Sequence, residues 1–199
     1  MTVLNSTDAI TGQKERLRNE ALARRDALPQ AERKSAAETI ATREFPVAVP
    51  RGATVSGFMP MKSEINPLPL MRKLSDAGAQ LALPAIAGRG KPLIMRAWKF
   101  GDPFKAGQWG IREPVPSAPQ VAPDILIVPL ACFDRAGHRI GYGAGYYDMT
   151  INALRAKKQV VAMGIAFAAQ EIPQVPATER DARLDLVLTE REVIDFRKS

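Results

Sequence analysis

The segment whose residue types are best suited to ligand binding or catalysis runs from Asp134 to Asp148. Its sequence is DRAGHRIGYGAGYYD. Three glycines, Gly141, Gly143 and Gly145, alternate with other residues between an apolar run and a stretch of helical pattern. Glycine permits positive φ and a close approach of the backbone to a ligand. Successive amide N–H groups ahead of a helix bind anions. The segment therefore predicts either a phosphate-binding loop or a glycine-rich structural turn.

The residues around the glycines favour the phosphate-binding alternative. Arg139 supplies a cation, and Asp148 supplies the oxygen type that Mg²⁺ prefers. All the tyrosines of the chain, Tyr142, Tyr146 and Tyr147, lie within six positions and offer rings for stacking. No GKS or GKT sequence follows at the Walker A spacing, and the third glycine comes one residue too early for a G-x-G-x-x-G dinucleotide fingerprint. The loop is therefore predicted to bind phosphate in another way.

The elements around this loop predict an α/β fold. Short apolar runs alternate with helical segments, which favours an α/β sandwich around a largely parallel sheet. Several runs are apolar throughout, which is typical of strands covered on both faces. Strands are predicted over Ala53–Met59, Gln80–Leu83, Leu93–Trp98, Ile125–Leu130, Val160–Ala166 and Leu184–Leu188. Helices are predicted over Asp8–Ala27, over Ala31–Glu44, between Asn66 and Gly78, and after a capping box of Thr189 and Glu192.

Length and composition predict a cytoplasmic protein with one domain over residues 1–199. Cys132 and His138 are the sole cysteine and histidine, which excludes an intramolecular disulfide and a structural Cys/His zinc site. The longest apolar run, Ile125–Phe133, is far below the ~18 residues of a membrane span. The N-terminus has no signal-peptide pattern, and the proline-rich Glu113–Pro123 is predicted to be a rigid connector. No membrane partner is expected.

The net charge of +7 indicates an anionic partner, but the excess is uneven. The stretch Ile86–Arg112 holds six cations and one acid, interleaved with aromatic residues. This pattern leaves open the alternative of a surface that binds single-stranded nucleic acid. That alternative does not explain the glycine segment, and no recognised nucleic-acid-binding module is present. We therefore expect small-molecule ligands and no nucleic-acid partner.

Several segments, in the same order along nearly the whole chain, carry a resemblance to a known enzyme family. The glycine segment is specific by itself, and the others gain weight from their order. They are KERLR (Lys14–Arg18), ARRDALP (Ala23–Pro29), FMPMKSEINPLPLM (Phe58–Met71), WGIREP (Trp109–Pro114), RIGYGAGYYD (Arg139–Asp148) and VPATERDARLDLVLTE (Val175–Glu190). The chain resembles the 5-formyltetrahydrofolate cyclo-ligases, also called 5,10-methenyltetrahydrofolate synthetases.

The resemblance implies a three-layer α/β/α sandwich, with a sheet similar to those of sugar-phosphate isomerases and CoA-transferases. It implies ATP- and Mg²⁺-dependent cyclisation of 5-formyltetrahydrofolate to 5,10-methenyltetrahydrofolate, with release of ADP and phosphate. The formyl oxygen is phosphorylated on the way. Phosphoryl transfer depends on positioning and charge neutralisation, so it needs no paired nucleophile and histidine. A monomer is expected.

The resemblance also implies the roles of individual residues. Arg139 and Tyr147 would be catalytic, and Asp148 and Asp181 would hold Mg²⁺. The residues that would bind folate are Met59, Glu64, Trp109 and Tyr146. Those that would bind ATP are Lys14, Arg18, Arg139, Ile140, Gly141, Tyr142, Gly143, Ala144, Gly145, Tyr146 and Tyr147.

Some alternatives stay open at this point. Ala144, Met149 and Arg180 depart from residues that are common in the family, which leaves the phosphate contacts and the metal surroundings open. A relative that binds folate or nucleotide without catalysis is a further alternative. By residue type alone, Lys14 and Arg18 also fit a solvated basic face, Asp181 a loop charge, Glu64 an acid at a helix start, and Trp109 a packing residue.

Overall fold

The structure, a computed structural model, describes residues 6–197. Within this range the chain forms eleven short strands and four α-helices. The strands are β1 (Thr54–Ser56), β2 (Gln80–Ala85), β3 (Ile94–Ala97), β4 (Phe104–Ala106), β5 (Arg112–Pro114), β6 (Ile125–Val128), β7 (Cys132–Phe133), β8 (Arg139–Ile140), β9 (Val161–Ile165), β10 (Leu186–Leu188) and β11 (Val193–Asp195). The helices are α1 (Ser6–Asp26), α2 (Gln30–Thr42), α3 (Leu68–Asp76) and α4 (Tyr146–Arg155).

Seven of these strands form the central sheet, in the order β11-β10-β9-β6-β1-β2-β3. The five inner strands are mutually parallel, whereas β3 and β11 pair antiparallel at the two edges. Strands β4 and β5 form one separate hairpin, and β7 and β8 form another. The prediction of a largely parallel sheet is confirmed.

Helices cover both faces of the sheet. In β6, Ile125 and Ile127 belong to a buried cluster with apolar residues of α2 and α3. The alternate residues Leu126 and Val128 belong to a second cluster with Ile151 of α4. Because successive side chains of a strand point to opposite faces, the two clusters lie on opposite sides of the sheet. The predicted α/β/α sandwich is confirmed.

The strand order reverses between β1 and β6. From β1 the chain extends the sheet through β2 to β3, and from β6 it extends the sheet the other way through β9 to β10. In open α/β sheets, ligands bind outside the carboxyl ends of the strands at such a point. The residues that meet there include Arg25 and Glu64 together with the apolar Phe58, Ile65 and Leu130.

The last predicted helix is wrong. Thr189 caps a tight turn between β10 and β11 instead: its Oγ1 accepts from the amides of Arg191 and Glu192 at 3.2 and 3.1 Å. A threonine hydroxyl caps turns as readily as helices. Here the pairing of Val187 with Ile194 in an antiparallel ladder decides the outcome.

The other elements lie close to their predicted positions, with two differences. The predicted connector Glu113–Pro123 begins inside β5, and the hairpins β4–β5 and β7–β8 were not predicted. The single domain over residues 1–199 remains a prediction, and residues 1–5 and 198–199 lie outside the described range. Within residues 6–197, no helix combines the length and the apolar character that crossing a membrane requires.

Candidate active site

Helix α1 presents a basic stripe to the glycine loop, which we define as residues 141–145. The stripe consists of Lys14, Arg18 and Arg25, at spacings of four and seven residues. These spacings place the three side chains on one helix face. Ala21 lies between them and is fully buried against Cys132 of β7. The small alanine allows α1 to lie close to the β7–β8 hairpin, which leads into the loop.

The glycine loop joins β8 to α4, and its backbone requires glycine. Gly143 and Gly145 have φ values of 100° and 68°, which only glycine adopts at little cost. Arg18 Nε donates to the Gly141 carbonyl oxygen at 2.7 Å. A Cβ atom at Gly143 would lie 3.5 Å from Arg18 Nη2. The guanidinium of Arg18 is therefore held against the loop, beside the N-terminus of α4.

Lys14 pairs directly with Asp181. Lys14 Nζ lies 2.7 and 2.6 Å from Asp181 Oδ1 and Oδ2, and both side chains are largely buried. Burial raises the pKa of Asp181, but hydrogen bonds from Lys14 and from the amide and hydroxyl of Thr178 outweigh burial and hold this pKa below its usual value. The pair thus joins a residue predicted to bind ATP with one predicted to hold Mg²⁺.

Asp148 and Arg139 form a second pair beside the first. Arg139 Nη2 lies 3.0 Å from Asp148 Oδ1, and Arg139 Nη1 donates to the Ala182 carbonyl oxygen at 2.6 Å. Asp148 Oδ1 also accepts from the Ala182 amide at 2.9 Å. Ala182 follows Asp181 in sequence, so both predicted metal carboxylates flank one peptide unit. The structure therefore brings Lys14, Asp148, Asp181 and Arg139 together.

Two buried donors in this region have no partner among the described residues, namely Arg139 Nε and the Tyr147 hydroxyl. Burial raises the pKa of Tyr147 well above its usual value, so its hydroxyl stays protonated at neutral pH. An unsatisfied buried polar group costs about 1–3 kcal/mol. Such groups at the end of a glycine loop are typical of a site that a ligand completes.

Glu64 lies at the carboxyl end of β1, where the Tyr142 hydroxyl and the Met61 amide donate to its carboxylate. Burial raises the pKa of Glu64, and the Tyr142 and Met61 hydrogen bonds and the charge of Arg25 offset part of this effect. The Tyr142 hydroxyl accepts in turn from Arg25 Nη1 at 2.6 Å. Tyr142 was assigned to ATP, but its hydroxyl lies against Glu64, which was assigned to folate.

The structure does not bring all predicted residues together. Met59 is buried with Phe58 and Ile65 in the first core cluster, just after β1. Trp109 is 72% exposed, with a φ of 56°, on the turn between β4 and β5. Across the described range, no hydrogen bond or ring contact joins Trp109 to the glycine loop.

The remaining predicted residues occupy ordinary positions around the loop. Ile140 is buried against Cys132, and Ala144 is exposed. The Tyr146 carbonyl oxygen accepts from Thr150 Oγ1 at 2.7 Å.

Burial raises the pKa of the Cys132 thiol to about 11, which fits the inert thiol of a buried strand.

Arg25 is the residue that sequence reasoning missed. It is 2% exposed although it carries a charge, and it contacts both the glycine loop and the segment after β1. The signal was present in the sequence, because Arg25 lies eleven residues after Lys14 and seven after Arg18. Both spacings return to the same helix face.

A largely parallel sheet, with a glycine loop beside the basic stripe of α1 and two ion-paired aspartates, is typical of an α/β enzyme that acts on phosphorylated ligands. The 5-formyltetrahydrofolate cyclo-ligase family model matches residues 10–190. The chain therefore belongs to the 5-formyltetrahydrofolate cyclo-ligase family, and the predicted membership is confirmed. Enzymes of this family are ATP-dependent ligases.

Individual relatives agree with this membership. The 5-formyltetrahydrofolate cyclo-ligase of Mycolicibacterium smegmatis is 31% identical over 189 residues, covering 91% of this chain and 95% of the relative. The enzyme of Escherichia coli strain K12 is 32% identical over 184 residues, covering 87% and 98%. The NMR structure of Aquifex aeolicus 5,10-methenyltetrahydrofolate synthetase matches with a TM-score of 0.76 and 26% identity, covering 94% of each chain.

Proposed function

We propose that this chain converts 5-formyltetrahydrofolate into 5,10-methenyltetrahydrofolate with the consumption of ATP. The observation that carries the proposal is the basic stripe of α1, which lies against a glycine loop with buried donors beside it. Names of relatives supply the reaction, and the site supplies residues for each part of it. The coupling to ATP is chemically necessary, because the oxygen of a formamide is a poor leaving group.

The reaction would proceed in two steps. The γ-phosphoryl group of ATP is transferred to the formyl oxygen, which gives ADP and an activated formyl carbon. The nitrogen at position 10 then attacks this carbon and loses its proton, and phosphate leaves with the former formyl oxygen. Lys14 and Arg18 bind the phosphates and neutralise their charge, while the amides of the glycine loop donate to phosphate oxygens.

Arg139 and Tyr147 are assigned to the transferred group. Arg139 Nε and the Tyr147 hydroxyl are buried donors that find no acceptor within residues 6–197. A phosphoryl oxygen would supply the acceptor and would draw on both donors as negative charge develops. Asp148 orients Arg139 through the 3.0 Å contact with its Nη2 atom.

The folate would lie at the reversal of strand order. Glu64 accepts from the amino and ring N–H groups of the pterin, and such bonds to a carboxylate are strong. Tyr146 and Met59 are assigned to the same ligand. Trp109 is assigned to stacking on the pterin, and its exposed position on the β4–β5 turn leaves its ring accessible.

The carboxylates of Asp148 and Asp181 fit Mg²⁺. In the described part of the chain no cluster of three or more histidine, cysteine, aspartate or glutamate side chains could hold a metal. Two carboxylates fit an ion whose remaining ligands are phosphate oxygens and water. Within residues 6–197, Arg139 and the Ala182 amide both contact Oδ1 of Asp148, which leaves Oδ2 for a ligand. Bound there, Mg²⁺ would neutralise phosphate charge.

The test is the appearance of the methenyl product. When purified protein is mixed with Mg²⁺, ATP and 5-formyltetrahydrofolate, the near-ultraviolet absorbance of the methenyl product should appear. Omission of ATP should abolish this absorbance. Arg139→Met should remove most of the activity. Arg135→Met is the matched control, because Arg135 pairs with Glu171 and Glu192 on the surface. Folded wild-type protein that binds ATP without forming product would overturn the proposal.

We further propose a cytoplasmic monomer without a nucleic-acid partner. Some of the cations in the basic stretch 86–112 already have partners within the protein, which makes them less available to a nucleic acid. Arg96 donates to the carbonyl oxygens of Pro116 and Ala118, and Lys105 lies 3.5 Å from the buried Glu113. Gel filtration should give one species near 21.7 kDa. Retention on single-stranded DNA at moderate salt would contradict the expected absence of a nucleic-acid partner.

A further inference from the structure

Arg25 connects the two halves of the site, which are the glycine loop and the segment that carries Glu64. The sequence predicted no role for Arg25 in either half. The residue ends the basic stripe of α1, and its guanidinium is almost completely buried. Its Nη1 donates to the Tyr142 hydroxyl at 2.6 Å, and its Nε donates to Ser63 Oγ at 2.9 Å. One rigid fork thus contacts both the glycine loop and the segment that carries Glu64.

The Tyr142 hydroxyl extends this contact to Glu64. The hydroxyl accepts from Arg25 and donates its own proton to the Glu64 carboxylate. The Ser63 hydroxyl, which accepts from Arg25 Nε, donates in turn to the Asp26 carboxylate. Arg25 also forms an ion pair with Asp26, at 3.9 Å. The buried charge of Arg25 is therefore offset by two carboxylates, Asp26 and Glu64.

We propose that Arg25 is a positioning residue of the reaction, which orients the Tyr142 hydroxyl and thereby holds the Glu64 carboxylate directed toward the folate. This inference rests on the proposed function, and the role that it assigns to Arg25 is exerted through Tyr142 and Glu64. A guanidinium is suited to the role because its donors are fixed in one plane. A lysine has one nitrogen and cannot reproduce the two-branched geometry.

The position in the chain also couples the ligands. Tyr142 belongs to the glycine loop, whereas Glu64 belongs to the segment after β1. A nucleotide that orders the loop therefore also orders the donor to Glu64, so folate and nucleotide should each strengthen binding of the other. Arg25 holds this link from the same helix that carries Lys14 and Arg18.

The experiment compares Arg25→Met and Arg25→Lys with Arg16→Met. Arg16 lies on the same helix, and its side chain is 69% exposed. Arg25→Met should raise the KM for 5-formyltetrahydrofolate ~10-fold or more, the usual range for lost hydrogen bonds to charged groups. The KM for ATP should rise less than the KM for 5-formyltetrahydrofolate, because Arg25 reaches the nucleotide only through the coupled loop. Arg25→Lys should recover part of the folate effect, and Arg16→Met should behave as wild type.

A pH profile separates positioning from general damage. Among residues 6–197, the titratable or charged groups that interact with Glu64 are Tyr142, Arg25 and Tyr147. Removal of the positive charge should move the acidic limb of kcat/KM for folate to higher pH, because Arg25 lowers the pKa of Glu64. A loss of folded protein alone would lower the whole profile without moving the limb.

A second variant covers the case in which Arg25→Met does not fold. Tyr142→Phe removes only the hydroxyl of an exposed side chain and should raise the KM for folate in the same way. Active wild type with an unchanged KM for folate in Tyr142→Phe and in folded Arg25 variants would overturn the inference alone. Inactive wild type would overturn the proposed function and the inference together.

Discussion

Lys14 and Asp181 lie 167 residues apart in sequence and form a largely buried ion pair, with Lys14 Nζ 2.6 Å from Asp181 Oδ2. One partner is assigned to the ATP phosphates and the other to Mg²⁺. Opposite charges hold each other in the free protein, and binding of Mg·ATP would offer each a stronger partner. The pair thus keeps both charges satisfied in the free protein.

Replacement of Lys14 should weaken the use of ATP. In Lys14→Met the phosphates lose a cation while the helix keeps its shape, so the KM for ATP should rise ~10-fold or more. Steady-state kinetics with varied ATP gives this value. Lys34→Met is the control, because Lys34 is exposed on α2 and pairs with Glu38. An equal increase for both variants would contradict the assignment of Lys14.

The same pair should make stability depend on pH. Because the folded pKa of Asp181 is lowered, the contribution is complete above the ordinary aspartate pKa and is lost as pH falls toward the folded pKa. The free energy of unfolding of Lys14→Met should lie about 1 kcal/mol below wild type at neutral pH. This difference should shrink below about pH 4. Urea unfolding without Mg²⁺ measures it, and a constant difference would contradict the prediction.

Asp148→Asn should impair magnesium use and stability together. The amide keeps an acceptor for Ala182 but leaves the buried Arg139 without its carboxylate, at a cost of about 1–2 kcal/mol. The Mg²⁺ concentration for half-maximal rate should rise ~10-fold or more because a charged ligand is lost.

Asp185→Asn is the matched control for Asp148→Asn. Asp185 also pairs with an arginine, Arg155 at 2.8 Å, and accepts from a backbone amide, that of Ala162 at 2.7 Å. The Asp185→Asn variant should lose a similar free energy of unfolding. Its Mg²⁺ concentration for half-maximal rate should stay that of wild type. If both variants kept the wild-type Mg²⁺ dependence, Asp148 would be a structural residue.

Tyr147→Phe should stabilise the protein and slow the reaction. The hydroxyl is buried without a partner in residues 6–197, so its removal should raise the free energy of unfolding by about 1 kcal/mol. The kcat should fall ~10-fold or more if the hydroxyl donates to the transferred group. Thermal unfolding and single-turnover assays measure the two effects, and an unchanged kcat would contradict the catalytic assignment.

Trp109→Phe should lower folate binding with little change in stability. Trp109 is exposed, whereas Trp98, the other tryptophan, is buried. Quenching of tryptophan fluorescence by 5-formyltetrahydrofolate should therefore be lost in Trp109→Phe and retained in Trp98→Phe. Retained quenching in Trp109→Phe would contradict stacking on the pterin.

Local pattern predicted most of the fold and the glycine loop. The strand β6 is apolar at every position because both faces of the sheet are covered. Gly143 and Gly145 of the loop mark backbone that needs positive φ. Such signals need no knowledge of distant residues. The wrong helix after Thr189 shows their limit, since a threonine acceptor fits a turn or a helix, and the partner strand β11 decided between them.

The sequence by itself determined the sandwich, the family and the residue types of the site. Only the tertiary structure decided which of those residues meet. It paired Lys14 with Asp181 and turned the Tyr142 hydroxyl toward Glu64. It also buried Arg25 against Tyr142 and Ser63. The physical reason is that these contacts join segments far apart in the chain, so their geometry depends on how α1 packs across the strand ends rather than on any local preference.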